Sequence, residues 1–199
     1  KIEEFMILDV ATRRNLELTE TMREKSRKGT LLWVLDRTMT SMGGRLMRKW
    51  IEQPLINTVD VNERLEAVGE LKDKFMVRSE IREHLKGVYD IERLMGKIIV
   101  GSLNCRDLIA LKNSAARIPY IKVLLKDSET EMLKRSFSQI DELSDIYELI
   151  DKAINDDPPI ALKEGGIIKA GYNSEVDRLR KAATDGKAWI AALENSERE

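Results

Sequence analysis

In this 199-residue chain, two Gly-Lys pairs are the residues most similar to a nucleotide-binding motif. A phosphate-binding loop needs a glycine-rich turn whose backbone amides surround the phosphate, ending in Gly-Lys-Ser or Gly-Lys-Thr, whose hydroxyl binds magnesium. Here the pairs continue as Gly-Lys-Ile at 96–98 and as Gly-Lys-Ala at 186–188, so the hydroxyl is missing. The sequence therefore predicts neither an ATP site nor a magnesium site in this chain.

The other reactive side chains lack the neighbours that catalysis or metal binding would need. His84 is the single histidine, which excludes a histidine-based metal cluster and a Ser-His-Asp arrangement, so we interpret it as a surface or helix-end residue. Cys105 is the single cysteine and has no nearby base, so we interpret it as a small core or boundary residue. Asp156 and Asp157 stand beside prolines and are interpreted as solvated turn residues. We predict no catalytic, cofactor or metal site, and no enzyme activity, in this chain.

Composition is typical of a helical protein of the cytoplasm. Hydrophobic residues make up 42% of the chain and charged residues 35%, with only 5% aromatic. The net charge of −1 excludes a chain-wide attraction for phosphate, and the few aromatic residues disfavour stacking on single-stranded bases. A single cysteine suits a reducing compartment, and no apolar run reaches membrane-spanning length. The first residues resemble no signal peptide and lack a methionine, as expected of an excised piece of a longer protein.

Helices are the elements that the pattern predicts for most of the chain. Ser41 is expected to cap a helix that ends near Pro54, because proline disfavours helical geometry in the residue before it. Asp60 followed by Glu63 indicates the next helix start. Further helices are predicted at about 78–86, 90–99, 104–118, 129–137 and 141–154.

Apolar spacing predicts which helix faces are buried. The helix after Asp60 is expected to bury Val61, Leu65, Val68, Leu71 and Phe75. The helix at 141–154 is expected to bury Leu143, Ile146, Ile150 and Ala153. In the helix that starts at Ser41, the pattern places Leu46 and Trp50 inside, with Arg45 and Lys49 outside.

The first forty residues are less regular. Alternation at Met6, Leu8 and Val10 predicts a short extended segment, and the polar stretch Thr19–Lys28 predicts a loop. From Thr30 the pattern becomes helical.

The composition changes at Asn155, where prolines and glycines exclude a helix interior. Residues 160–170 are predicted to form a small β-hairpin about Gly165 and Gly166. A long helix follows, whose narrow apolar seam resembles one side of a coiled coil: Val176, Leu179, Ala183, Gly186, Ile190 and Leu193. Such a helix is unstable alone, so we expect it to fray, to fold back, or to pair with another copy.

We therefore predict an all-α fold: a multihelical core domain with a long protruding helix and one small β-hairpin. The predicted divisions are a core at 1–154, a turn-rich connection at 155–172 and the protruding helix at 173–199.

Several long blocks of the sequence resemble one family. They are DVATRRNLEL at Asp9–Leu18, the stretch Gly29–Leu55, the stretch Gly87–Lys112, and PPIALKEGGIIKAGYN with the helix that follows it. All resemble, in order, the core domain (domain III) of bacterial MutS, the family of DNA mismatch-recognition ATPases. The match is weakest at about 113–140, where only generic amphipathic helices are evident.

The resemblance implies a role for each part. In MutS proteins a helix similar to the last one here runs out from the core as a lever toward a clamp domain that touches the DNA backbone, and a second helix returns beside it. The ATPase domain, with its ATP and magnesium, would lie elsewhere in the parent protein. The phenylalanine and glutamate that probe the mismatch belong to another domain, so Phe5 and Glu17 are not those residues. Implied partners are mismatched duplex DNA, a second copy of the parent and a MutL-type repair protein, with no membrane.

Three charged groups are candidates for contacts with other domains or with DNA. Arg13, Arg14, Asn15 and Glu17 are interpreted as a polar inter-domain junction, the alternative being an ordinary surface ion-pair cluster. The basic residues Arg23, Lys25, Arg27 and Lys28 are interpreted as a solvated loop, although they could touch DNA phosphates. Arg45, Arg48 and Lys49 share a helix face that is either a solvent face or a phosphate-binding stripe.

Two functions remain open at the level of sequence. The first is a mechanical segment of a mismatch-repair ATPase, in which nucleotide-dependent motion tilts the lever and so moves the clamp. The alternative is a helical scaffold or interaction module of a MutS relative that acts in recombination.

Overall fold

The computed structural model describes residues 4–159 and 162–197, and beyond residue 186 it describes the backbone alone. In this part of the chain the fold is all-α, as predicted, and β structure is limited to two isolated bridges. Eleven α-helices occupy the described residues: α1 Val10–Asn15, α2 Leu31–Leu35, α3 Ser41–Glu52, α4 Thr58–Asp73, α5 Phe75–Lys86, α6 Ile91–Val100, α7 Cys105–Ala115, α8 Ile118–Leu125, α9 Glu131–Gln139, α10 Ser144–Ala153 and α11 Ser174–Glu197. None of these helices is long and apolar enough to cross a membrane.

Helices α4–α10 form the body of the molecule around two apolar clusters. The first cluster joins α6, α7 and α10 through the buried residues Leu94, Leu111, Ile150, Ala153 and Ile154. The second joins α4, α8 and α9 through Ala67, Leu125 and Leu133. Because α7 also packs on α8, the two clusters belong to one continuous body. The predicted burial of Ile150 and Ala153 is confirmed, and Ile146 packs against the same cluster.

The helix predicted at 104–118 is interrupted. Helix α7 ends at Ala115 and α8 begins at Ile118 with Pro119 in its first turn. Proline has no N–H, and within a continuous helix its ring would clash with the carbonyl of Ala115, so the chain bends there. The start of α7 is fixed by a capping box, in which the Asn104 side chain accepts from the Asp107 N–H and the Asp107 carboxylate accepts from the Asn104 N–H.

The predicted buried face of α4 is wrong at three of its five positions, whereas Leu71 packs against the second apolar cluster as predicted. Leu65 and Val68 are 61% and 62% exposed, and Phe75 begins α5 with 61% exposure. The face turned toward the body instead carries Ala67, at 4% exposure, and the carboxylate of Glu70. Apolar spacing misses such a face because a small residue and a paired acid form the contact. Helix α4 also begins earlier than predicted, at Thr58, since the Asn57 side chain accepts from the Val59 N–H.

The amino-terminal region differs from the prediction in two places. Val10 is not extended, because the Asp9 carboxylate accepts from the Thr12 N–H at 2.6 Å and starts α1 there. The extended segment therefore ends before Val10 and is shorter than predicted. Within it, Phe5 forms an antiparallel bridge with Leu55. The start of α3 is one residue off, since Thr40 rather than Ser41 is the cap.

The predicted hairpin has different partners. Gly165 and Gly166 adopt the left-handed conformation with φ of +71° and +72°, as a turn requires. The described backbone after this turn pairs with the end of α10, through an antiparallel bridge between Ile154 and Ile168. Ile168 and its neighbour Ile167 pack against the first apolar cluster, and this burial favours the bridge over a hairpin within 160–170.

Candidate functional site: the arm base and the amino-terminal junction

Both Gly-Lys pairs lie within helices. The Gly-Lys pair at 96–97 is inside α6, so the glycine amide belongs to the helix rather than to an open loop. The Lys97 ammonium lies 2.8 Å from both oxygens of Asp107. The pair at 186–187 is inside α11. Within the described ranges no three His, Cys, Asp or Glu side chains are grouped as a metal site would require.

His84 and Cys105 occupy structural positions. His84 lies in the last turn of α5, where its ring stacks on Tyr120 with 5.1 Å between ring centroids. Cys105 is the first residue of α7, is 5% exposed and carries a free thiol. Both agree with the interpretation of a helix-end residue and a small core residue.

The last helix, which we call the arm (α11, Ser174–Glu197), is attached to the body at its beginning. The Asn173 side chain accepts from the Val176 N–H and caps the helix. The Arg180 guanidinium donates to the Ile168 carbonyl at 3.0 Å, and the Asp177 carboxylate accepts from the Gly171 N–H at 2.8 Å. The first two turns of the arm are thereby tied to the segment that forms the bridge with α10.

The predicted seam of the arm is open where its side chains are described. Val176 is half-buried, Leu179 is 60% exposed, and both line a cavity of about 620 Å³ together with Ile167 and Ile168. Residues 181–186 are all exposed, and a Cβ built on Gly186 would meet no atom within 4 Å. The seam positions Ile190 and Leu193 lie outside the described side chains, so the complete seam stays a prediction.

The proposed polar junction lies on and after α1 rather than on an extended segment. Arg14 and Asn15 are exposed, while Arg13 is half-buried beside a cavity of about 410 Å³ formed with residues 5–8, Glu52 and Gln53. Glu17 has a φ of +47°, and its carboxylate accepts from the Met22 N–H at 2.7 Å. In the described part of the chain none of the four forms an ion pair, so the junction interpretation stays a prediction.

Residues 4–56, which we call the amino-terminal module, present an apolar surface beside that junction. Ile7, Val10 and Leu16 are 77%, 73% and 60% exposed. An apolar patch of this kind is typical of a surface that another domain or protein covers.

Arginines hold the module against the body. The Arg45 guanidinium donates to both oxygens of Asp90, at 2.7 and 2.8 Å, and to the carboxylate of Glu92. This pairing is the first cause that lowers the pKa of Asp90 to about 2. The Arg82 guanidinium donates to the Arg37 carbonyl at 2.9 Å.

Sequence reasoning missed these contacts and misplaced the residues around them. Leu46 is 49% exposed rather than buried, and Trp50 is half-buried beneath the Arg64 guanidinium, which lies 3.9 Å from the ring centroid. Of the three cations on the α3 face, Arg45 pairs with the body and Arg48 pairs with Glu52 at 2.9 Å. Two of the three charges are therefore neutralised, which weakens the phosphate-stripe interpretation.

The basic loop is also partly neutralised. Arg27 forms an ion pair with Asp36, and the pKa of Asp36 is lowered, first by hydrogen bonds from Thr38 and further by Arg27. Residues 19–28 contain turns and no helix, which confirms the predicted loop.

Comparison with known proteins decides the family. The family profile described as MutS domain III matches residues 11–198. The chain belongs to the MutS family. As a MutS domain III it is 68% identical over 199 residues to the DNA mismatch repair protein MutS of Acetivibrio thermocellus, covering 100% of this chain and 23% of that protein. The corresponding protein of Ruminiclostridium cellulolyticum is 68% identical over 198 residues, with 23% of its length covered. That of Alkaliphilus oremlandii is 55% identical over 196 residues, which are 98% of this chain and 22% of that protein.

The resemblance inferred from the sequence blocks is thus confirmed, and so is the assignment to domain III. The chain spans 23% of the length of the first two relatives. Activities and partners of a whole MutS protein are therefore proposals for this domain.

Proposed function

We propose that this MutS domain III is the core and outgoing lever of a DNA mismatch-recognition ATPase, linking a DNA clamp mechanically to the ATPase domain in mismatch repair. The observation that carries the proposal is the arm: 24 residues of helix that are attached at their base and exposed along 181–186. At about 1.5 Å per residue such a helix spans roughly 36 Å, enough to carry a displacement well beyond the body.

The body supports this role because it is packed as one unit. Helix α10 ends at the bridge that holds the arm base, and the same helix packs along α7 in the first apolar cluster. Packed cores resist continuous deformation, so a rotation applied to the body would be delivered to the arm as a rigid-body movement.

The partners follow from the family. We propose ATP and magnesium in the parent's ATPase domain, a homodimeric parent, mismatched duplex DNA held through the clamp, a MutL-type repair partner, and action in the bacterial cytoplasm on the nucleoid. The named relatives are mismatch repair proteins, which supports repair over recombination as the pathway.

A helix break in the arm tests the proposal in the whole parent protein. Asp185 is an exposed arm residue, and Asp185→Pro removes one helical hydrogen bond and clashes with the carbonyl of Lys181. Asp185→Ala is the matched control, because it changes the same position and keeps the helix.

The expected result is that basal ATP hydrolysis is the same in both variants, whereas its response to mismatched DNA is lost in Asp185→Pro only. Circular dichroism and size-exclusion chromatography would confirm that both variants are folded. An unchanged response in a folded Asp185→Pro protein would contradict the lever function.

A further inference from the structure

The direction of the arm depends on a short piece of backbone pairing. The Asn155 N–H donates to the Ile167 carbonyl and the Lys169 N–H donates to the Ala153 carbonyl, both at 2.8 Å. The segment 167–169 is thereby held antiparallel to the chain that leaves α10. Since Arg180 of the arm donates to the Ile168 carbonyl, any shift of this pairing changes the angle at which the arm leaves the body.

A cluster of four charges surrounds the same pairing. The Lys112 ammonium, on α7, lies 3.1 Å from an Asp151 carboxylate oxygen on α10 and 2.6 Å from an Asp156 carboxylate oxygen just after it. The Lys169 ammonium, on the returning segment, lies 3.7 and 3.6 Å from the same two oxygens. Two lysines and two aspartates thus join the body to both strands of the bridge.

The four side chains of this cluster differ in their exposure to water. The side chain of Lys112 is 10% exposed, whereas that of Asp156 is 73% exposed and that of Lys169 is 28% exposed. A lysine with so little access to water is strongly disfavoured once its carboxylates move away, while an exposed aspartate is readily solvated. The cost of breaking this contact therefore falls mainly on the buried Lys112, and that cost keeps Asp156 in place.

The protonation behaviour of the pair agrees with this geometry. The hydrogen bond from Lys112 is the first cause that lowers the pKa of Asp156, with the charges of Lys112 and Lys169 adding to it. The pKa of Lys112 is raised, first by Asp156. Both groups are therefore charged at neutral pH, where the contact operates.

We propose that Lys112 is a positioning residue for the arm, fixing the angle between the arm and the body by holding Asp156, and through it the paired segment 167–169, against α7 and α10. The consequence for clamp movement rests on the proposed lever function, whereas the angle itself is a property of this chain.

The test measures a distance that changes with that angle. Spin labels at Ser79→Cys, exposed on α5, and at Asp185→Cys, exposed on the arm, would report the distance between body and arm by double electron–electron resonance, in a Cys105→Ala background. Lys112→Met keeps an unbranched side chain as far as Cε and removes the ammonium, whereas Lys112→Arg keeps a positive charge. Lys152→Met is the matched control, because Lys152 pairs with Glu148 on the exposed side of α10.

We expect the same distance distribution for the chain with a native Lys112, for Lys112→Arg and for Lys152→Met. Lys112→Met should shift this distance distribution or roughly double its width. The reason is that Asp156 loses its ion pair with Lys112, which held the bridge against α7. Asp156→Asn, which alters an exposed residue and leaves Lys112 its second partner Asp151, should have the same effect. A purely stabilising role for Lys112 predicts lower melting temperatures with an unchanged distribution.

If folded Lys112→Met and Asp156→Asn proteins both give the same distance distribution as the chain with a native Lys112 and Asp156, the inference is overturned. If Lys112→Met fails to fold, Asp156→Asn alone decides. Because the measurement needs neither nucleotide nor DNA, its failure would leave the Asp185→Pro test of the lever function unaffected.

Discussion

The body and the amino-terminal module are held in place by different kinds of contact. In the body, helices bury side chains such as Leu94, Leu111 and Ile150 in two apolar clusters. In the module, Leu18 and Leu32 are buried, while Ile7, Val10 and Leu16 face outward. Guanidinium groups hold the module, and among the described residues neither apolar cluster includes a residue of the module. The body therefore carries its own stability, whereas the position of the module depends on a few polar contacts and on whatever covers its apolar side.

Truncating a leucine to alanine in each region should give the largest difference in stability. Leu111→Ala, at 5% exposure in the first cluster, should lower the free energy of unfolding by about 2–5 kcal/mol. Leu46→Ala, at 49% exposure in the module, should lower it by less than about 1 kcal/mol. Chemical denaturation followed by circular dichroism measures both. Equal losses would show that the module shares the cooperative core of the body.

A buried carboxylate should give the next largest effect. Glu70 is 7% exposed and accepts from the Lys74 ammonium, the Thr130 hydroxyl and the backbone N–H groups of Glu129 and Thr130, so it ties the start of α9 to α4. Although burial alone would raise the pKa of Glu70, these hydrogen bonds lower it to about 2 from 4.5. Glu70→Gln should therefore lower stability by about 2–3 kcal/mol at pH 7.

The pH dependence of that effect has a definite sign. Because the folded pKa of Glu70 is depressed, its contribution is fully present above pH 4.5 and is lost as the pH falls toward about 2. The difference in unfolding free energy between the unsubstituted chain and Glu70→Gln should shrink as the pH is lowered from 7 to 3. Glu66→Gln, at an exposed position on the same helix, is the control substitution. A difference that is constant with pH would contradict the assignment.

Loosening the module should have a smaller and local effect. Arg45 is 49% exposed, so water screens its pairing with Asp90 and Glu92, and Arg45→Lys should leave the global free energy of unfolding nearly unchanged. Hydrogen exchange should nevertheless become faster in α2 and α3 while α7 and α10 are unchanged. Arg48→Lys, whose partner Glu52 lies in the same helix, is the control. Faster exchange throughout the body would mean that the two regions unfold together.

A further predicted change is confined to the arm. Gly186→Ala should stabilise the isolated helix by about 1 kcal/mol, because the added methyl group meets nothing within 4 Å. Amide exchange at 181–186 should slow about fivefold in this chain. In the whole protein the same change should impair function if a partner helix approaches the seam there. Unchanged exchange would indicate that another copy of the chain already covers the arm.

The sequence predicted those features that have a local or periodic signal. The helix that starts near residue 104, the burial of Ile150 and the end of a helix before Asn155 all depend on neighbouring residues. The face of α4 was mispredicted because Ala67 and Glu70 carry no apolar signal. The contacts of Arg45 and Lys112 were missed because their partners lie 45 and 44 residues away, and long-range ion pairs leave no pattern in a sequence.

The exposed apolar side chains of the amino-terminal module also have a consequence for colloidal behaviour. Interparticle repulsion in solution depends on net charge, and this chain carries −1 at neutral pH with an isoelectric point near 6.1. Short-range attraction between patches around Ile7 and Val10 therefore meets little electrostatic opposition. The second virial coefficient, measured by static light scattering, should be negative near pH 6 and should rise as the pH moves toward 9. Salt should make it more negative at pH 9 by screening the remaining charge, so purification and storage are best carried out at low ionic strength and alkaline pH.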